Sequence, residues 1–419
     1  MSLDRSFGLG MGLFVSAMLT ALSLAQAGLG LFQTEWHPRR LPPHRDPRSV
    51  TKYTNAELDY LRTVGDPSAD GLLAEIAGTA NGAAAQLAVV QAFYDTLLAR
   101  KCFRIADFAG KPYLGALTAW SNGIALASPD KAAIARAGKF FKTHLFKIMV
   151  ILSTSSLLEA FACAKGVRVL ASTDFLSHDT NRRLKETLQF VMYVNEPDAF
   201  DEARGGTGLA AIRKVRLMHA AIRWLVPRRA PDGWGTPINV EDLLGMLMGF
   251  SCVVIRDLPE FDVSLTSEQA ADHIALWNEV GRMLGIPQER LPADLGEALA
   301  LMHAVKSRQQ GPSEAGRKMT DALLAYHASL LGDFYDVGTG AMRRLAGNYI
   351  CDMLGVPNSD YADHSPMRDY VFRILLWWGD RLITFEQLDA KDEIGAVHHY
   401  EPYDIPRSLW SVVFPIGDA

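Results

Sequence analysis

From about residue 50 onward, apolar positions recur every three or four residues in short runs, each opened by a helix-capping residue or closed by glycine or proline. Thr54-x-x-Glu57 has capping-box spacing and predicts a helix to Val64. Asp66-Pro67 predicts the next, carrying Ala69, Leu72, Leu73 and Ile76. Ser128-Pro129 predicts a helix ending near His144. Thr266-x-x-Gln269 opens one that carries Ile274, Trp277, Val280, Met283 and Leu284 before Gly285 stops it. Asp294, Ser313 and Thr339 read as further caps, and Tyr370 to Leu382 as a late buried helix. The alternating β-branched pattern of strands is scarce, so the pattern predicts an all-α fold, one large helical domain over residues 50–419.

Two stretches are apolar enough to raise the question of a membrane. Leu145 to Ala164 carries Lys147, Glu159 and the polar run Ser153 to Ser156, which suits the central helix of a globular core better than a span. Phe7 to Leu31 is uncharged and ends near the small-residue run Ala25-Gln26-Ala27, so residues 1–31 are expected to be a signal or anchor segment. That implies export or membrane association through the N-terminus; the alternative is an apolar helix packed on a cytoplasmic protein. Residues 32–49 are Pro-rich and basic, as in an extended linker.

Composition narrows the function. The chain has 419 residues, 49% of them hydrophobic, enough for a sizeable core, and its 42 basic against 47 acidic residues argue against a nucleic-acid partner. Cys102, Cys163, Cys252 and Cys351 are scattered, with no spacing that closes a zinc site, and read as buried thiols. No Walker loop, HExxH or nucleophile elbow occurs, and the glycine clusters at 205–208 and 338–340 follow no strand and read as loops.

Ile212 to Val226 is the segment with chemistry in it. At about 100° per residue, Arg216 and Arg223 fall together roughly 40–60° to one side of His219, with Val215, Ile222 and Val226 on the other. An imidazole, an apolar stripe and two guanidiniums on neighbouring faces are what a haem requires for its iron, its macrocycle and its propionates. The same spacing also suits an ordinary amphipathic helix whose arginines pair with acids on adjacent helices.

Three pieces, in order along the chain, carry a resemblance: Leu61-Arg-Thr-Val-Gly-Asp-Pro-Ser-Ala-Asp70, Val215-Arg-Leu-Met-His-Ala-Ala-Ile-Arg223 and Trp234-Gly-Thr-Pro-Ile-Asn-Val-Glu-Asp-Leu-Leu-Gly245. Together they resemble the rubber oxygenase family, which includes latex clearing protein and the fungal mycophenolic-acid-pathway oxygenase. The resemblance implies a globin-like helical core that binds haem b, and cleavage of an isoprenoid double bond with dioxygen. By the same resemblance His219 is the proximal iron ligand and Arg216 and Arg223 are its basic partners. Arg183 and Thr187 match a distal Arg and Thr, and Glu159, an acid in an apolar helix, matches the family's catalytic carboxylate. Glu186 stands where latex-type enzymes can carry a lysine, with Lys185 one position earlier. His144 and His178 flank this region, and His398-His399 reads as a polar loop pair. The expected partners are dioxygen and an apolar small-molecule or polymer substrate. A haem-binding sensor or carrier without turnover, and a cofactor-free membrane-anchored helical protein, are the alternatives.

Overall fold

The computed structural model describes residues 40–362, apart from 101, 126–129, 173–179, 203–205, 226–233 and 333–334, with the backbone alone for 172, 180–185 and 330. The helices are α1 (Asn55–Leu61), α2 (Pro67–Gly78), α3 (Ala83–Leu98), α4 (Leu114–Asn122), α5 (Lys131–Thr143), α6 (Leu145–Ala162), α7 (Val167–Ser172) and α8 (Thr180–Val194). They continue as α9 (Thr207–Leu225), α10 (Val240–Phe250), α11 (Cys252–Asp257), α12 (Ser267–Met283), α13 (Leu295–Gln309), α14 (Glu314–Leu331), α15 (Tyr335–Ala346) and α16 (Asn348–Leu354). Among the described residues there is no strand, only an isolated bridge between Cys163 and Gln310. The all-α expectation holds.

The caps explain most helix starts. Thr54 accepts from the Glu57 amide, Asp66 from Ala69, Asp294 from Glu297 and Ser313 from Gly316, while Thr266 and Gln269 form a reciprocal capping box. Asp130, whose carboxylate accepts from the Ala132 and Ala133 amides, opens α5; Ser128-Pro129 lie outside the described residues. Thr339 is no cap. It sits buried inside α15 and bonds the Asp336 carbonyl, and Gly338 and Gly340 are helical rather than loop. A Cβ on Gly340 would come within 2.5 Å of Tyr361 Cβ, so glycine there permits close approach of the following chain. Residues 1–39 and 363–419, with the apolar N-terminal run, the Tyr370–Leu382 helix and His398-His399, lie outside the described residues, as does His178.

Residues 40–49 are not a loose tether. Arg45 bridges to Asp294 and Glu297 at 3.0 and 2.8 Å, and Leu41 packs on the core.

Packing places α9 against α2 on one side and α8 on the other, with α12 along α5 and α10 along α13. The largest apolar cluster gathers Phe141, Leu145, Ile148, Leu244, Val254 and Trp277; a second joins Leu73, Phe93, Tyr94, Phe108 and Leu217. A third packs Leu158 and Phe161 against Met319, Met342 and Leu354. The central helix α6 is long and apolar enough to cross a membrane by length and composition, but most of its residues are buried in the core. It contains a π-helical turn, Leu152–Ser156, of the kind that re-aims side chains at functional sites.

The three sequence pieces that carried the resemblance meet in space. Arg62 reaches across to Glu241 and Asp242, both at 3.0 Å, and also donates to the Trp234 carbonyl. Thr236 and Val240 donate backbone amides to Arg62 and Val64. Arg216 makes a two-pronged bond to Asp66 at 2.6 and 2.8 Å, and Arg223 bonds Asp70 at 2.8 Å. Gly235, at φ 77°, lies where a Cβ would meet the Arg62 carbonyl at 2.3 Å, so only glycine lets the two segments touch.

Candidate active site

One face of α9 lines a cavity of about 380 Å³: Ala211, Lys214, Val215, Met218, His219 and Ile222. Their spacing of three and four is the stripe that one side of a helix presents. The other walls come from α6, α7, α8, α10, α12 and α13, and apolar lining dominates, with Leu170, Phe190, Leu247, Phe250, Met302 and Val305 among it. Volume and lining are those of a small-molecule or cofactor site.

His219 lies on this wall, half-buried. Arg216 and Arg223 do not. The 40–60° that separates them from His219 turns their guanidiniums to α2, where Asp66 and Asp70 stand one turn apart and take them up. Burial alone would push Asp66 up, but the hydrogen bonds and charge of Arg216 hold its carboxyl below the ordinary aspartate value. Arg216 also donates to the Met283 carbonyl, and Arg223 to that of Ile238, leaving Arg223 Nη2 buried without a partner. The arrangement is the arginine–acid pairing that the spacing equally allowed, and it supplies no guanidinium to the cavity.

Glu159 does reach the cavity, from the turn that follows the π-helical segment of α6. Its Oε1 takes Arg256 Nη1 at 2.7 Å and Lys306 Nζ at 2.5 Å. Arg256 is itself gripped by Asp257 and donates to Ser155 Oγ at 2.9 Å, so the carboxylate is held from two sides. Burial pulls the Lys306 ammonium below its ordinary value, against the opposing pull of Glu159. Arg256 and Lys306 were not foreseen. A charged pair, Arg256-Asp257, inside the apolar run from Cys252 to Leu258 was the available signal; a lone lysine on a helix carries none.

On α8, Thr187 is exposed and Glu186 half-buried, and both border the cavity; the side chains of Arg183 and Lys185 lie outside the described residues. His144 ends α5, edge-on to Phe140 at 5.0 Å, away from the cavity. Cys163 and Asp242 line the far wall. Burial pushes the Cys163 thiol up to about 12, and pushes the Asp242 carboxyl up to about 6 despite the Arg62 charge beside it. Such a thiol is an inert wall group near neutral pH. All four cysteines are free, Cys252 and Cys351 buried and Cys102 and Cys163 partly so.

Among the described residues no group of three or more His, Cys, Asp and Glu side chains is placed to hold a bare metal ion. A single imidazole on an apolar wall fits instead a metal whose other ligands would come from a bound macrocycle, with His219 as the residue that would hold it. The residues present therefore fit a haem on its iron-ligand and apolar sides. Among the described residues, the cations bordering the cavity are Lys214 and Lys306, the latter already on Glu159.

Residues 146–379, more than half of the chain, match the profile of a family described as ER-bound oxygenase mpaB/B'/rubber oxygenase, catalytic domain. The rubber oxygenase of Streptomyces sp. (strain K30) is 24% identical over 233 residues, which span 54% of this chain and 56% of that protein. The solved structure of latex clearing protein in the closed state shares the fold, with a TM-score of 0.61 at 21% identity over 88% of this chain and 93% of that one.

Proposed function

Because the chain belongs to the mpaB/rubber oxygenase family, we propose that it is an oxygenase that uses haem b, held by His219, to cleave a carbon–carbon double bond of an apolar, isoprenoid-like substrate with dioxygen. The observation that carries the reading is the position of His219 in the middle of the apolar stripe of α9, on the wall of the cavity that also receives Glu159. When bound, the haem would supply the binding and activation of dioxygen, while the electrons that reduce the dioxygen come from the alkene itself.

The protein's own part is to bind, to dry and to move a proton. Val215, Met218 and Ile222 give an apolar surface on either side of the imidazole, and Phe190, Leu247, Phe250 and Val253 exclude water from the space an alkene would fill. Glu159 is the proton-exchanging group. Both cations bind its Oε1, which fixes the carboxylate's orientation and leaves Oε2 as the atom at which a proton can be taken up or released. Thr187, at the border of the cavity, serves as a neutral hydrogen-bonding group on the α8 side, and Arg183 belongs to the same helix. Arg216 and Arg223 hold α9 in place and so act on His219 at one remove.

The test is spectroscopic first. The purified protein is expected to show a Soret band with about one haem per chain, and His219→Ala to lose it while keeping its helical content. Retention of stoichiometric haem by His219→Ala would remove the assignment, and an unaltered isoprenoid alkene after aerobic incubation with the reduced haem protein would remove the oxygenase reading.

A further inference from the structure

We infer that the end of the cavity lined by Gln309 is a subsite for a hydroxyl group, so that the substrate is an apolar chain carrying an alcohol rather than a bare hydrocarbon. The inference deepens the oxygenase reading and rests on it only in taking this cavity as the substrate site. Gln309, in the last turn of α13, lines the cavity and is 4% exposed, yet its side-chain Oε1 is buried with no hydrogen-bond partner. Its backbone explains why it stays there: the Gln309 carbonyl accepts from Ala164 at 2.8 Å and Gly311 donates to Ala162, which ties the end of α13 to the end of α6. An amide so held leaves a buried acceptor unsatisfied in the wall of an otherwise apolar space, a costly arrangement unless the amide turns to meet something that donates to it.

The neighbouring charges decide what arrives. Glu159 is matched by Lys306 and Arg256, Asp242 by Arg62, and Arg256 also by Asp257, so the charged groups around this end of the cavity are already paired. An ionic head group would enter without a counter-charge and lose its hydration for nothing in return. A neutral hydroxyl loses little, donates to Gln309 Oε1, and can also accept if the amide is turned the other way. The rest of the lining is dominated by apolar residues, among them Met246, Met302, Val305, Ile222 and Met218, which suits the chain attached to that hydroxyl.

The experiment compares two probes of one carbon skeleton, geraniol and 2,6-dimethyl-2,6-octadiene, titrated against the full-length wild type and against Gln309→Leu and Gln309→Met, with folding checked by melting temperature. Two variants are used because either replacement could disturb the end of α13. In the folded variants geraniol is expected to bind roughly tenfold more weakly than to wild type while the hydrocarbon changes less than twofold, since only the alcohol loses a bond to a buried group. The two probes should also compete for wild type. A ratio of affinities unchanged within twofold, no competition, or no binding of geraniol to wild type would each overturn the subsite; the first is also the result if an ordered water, rather than a ligand, satisfies Gln309. Oxygen uptake on geraniol is read separately. Its absence beside an intact geraniol effect removes the oxygenase reading and leaves the subsite standing.

Discussion

Replacing Arg216 separates two roles that the Arg-x-x-His-x-x-x-Arg spacing allows. In the structure its side chain is 12% exposed and its guanidinium lies on the carboxylate of Asp66, a side chain 3% exposed, a buried two-pronged pair that also reaches the Met283 carbonyl. Removing one partner of such a pair strands the other, at a cost of about 3–5 kcal/mol. With an unfolding entropy of about 2.1 cal/mol/K per residue, a chain of this length changes by roughly 0.9 kcal/mol per kelvin, so Arg216→Ala should lower Tm by about 3–6 °C. The pH dependence has a definite sign. The Asp66 carboxyl is held below its ordinary value in the folded protein, so the stabilisation is present above the unfolded aspartate value and is lost as pH falls through the folded one. The wild-type advantage over Arg216→Ala should therefore shrink in acid.

The decisive variant removes both charges. In Arg216→Met with Asp66→Leu no charge is stranded, and apolar replacement of a buried pair is often neutral; what remains is the loss of the Asp66 cap on α2, worth about 1 kcal/mol. The double variant should thus recover most of the melting temperature and retain haem. Thermal unfolding and haem content measured on the same samples check both. If haem is lost from the refolded double variant, or if Arg216→Ala loses haem with Tm unchanged, Arg216 serves the cofactor directly and the pairing with Asp66 is incidental.

Three further outcomes are expected. Glu159→Gln should keep its haem but lower the rate of oxygen consumption on an isoprenoid alkene by about 10²–10⁴-fold, the usual worth of a positioned proton carrier, and a rate within twofold of wild type would dismiss Glu159 from the chemistry. His273 is buried against Phe250 and Trp277, and burial lowers its pKa to about 4; it must take up a proton on unfolding, so its contribution to stability is present above pH 6.5 and is lost as pH falls towards 4, by about 3 kcal/mol in all. Denaturant midpoints between pH 7 and 4.5 should fall more steeply for wild type than for His273→Leu; His327, lowered to about 4 in the same way, leaves a residual slope. Gly235→Ala sets a Cβ against the Arg62 carbonyl at positive φ and should cost about 2 kcal/mol or more, and a melting temperature within 1 °C of wild type would mean that the two segments can part without penalty.

The helices were legible because their determinants are local: Thr54, Asp66, Thr266, Asp294 and Ser313 cap the helices their spacing predicts. Thr339 was misread for a reason of the same kind in reverse. Threonine between two glycines looks like a turn, and only the approach of Tyr361 and Leu331 to those glycines explains a helix there. Within the site, His219 and Glu159 could be singled out as polar residues on otherwise apolar helices, and both line the cavity. The two arginines could not be placed by periodicity, because residues 40–60° off the centre of a stripe can turn either way. What decides is which neighbour offers carboxylates, and that is tertiary information. Gln309 carried no signal at all, since a glutamine near a helix end is ordinary until its surroundings are known.

The arginines matter to the site even though they do not enter it. Arg213, Arg216 and Arg223 leave α9 along the edge that faces away from the cavity and are tied to Glu202, Asp66 and Asp70. Anchors spread over nearly three turns fix the rotation of the helix about its own axis as well as its position. At the outer radius of a helix, about 5–6 Å, a rotation of 20° would carry the His219 ring by roughly 2 Å. Metal–ligand distances tolerate about a tenth of that. A helix held by apolar packing alone can slip by such an angle, because side chains in a uniform apolar stripe exchange places at little cost. The buried pair of Arg216 with Asp66 cannot, since removing either partner strands the other at a cost of about 3–5 kcal/mol, while the pairs to the solvent-accessible Glu202 and Asp70 add less. The Leu61–Asp70 and Trp234–Gly245 segments complete the same clamp, the first through Asp66 and Asp70 and the second through the Ile238 carbonyl and the Arg62 pairs with Glu241 and Asp242. The three pieces of sequence that carry the resemblance thus form one clamp that fixes which face of α9 meets the cavity.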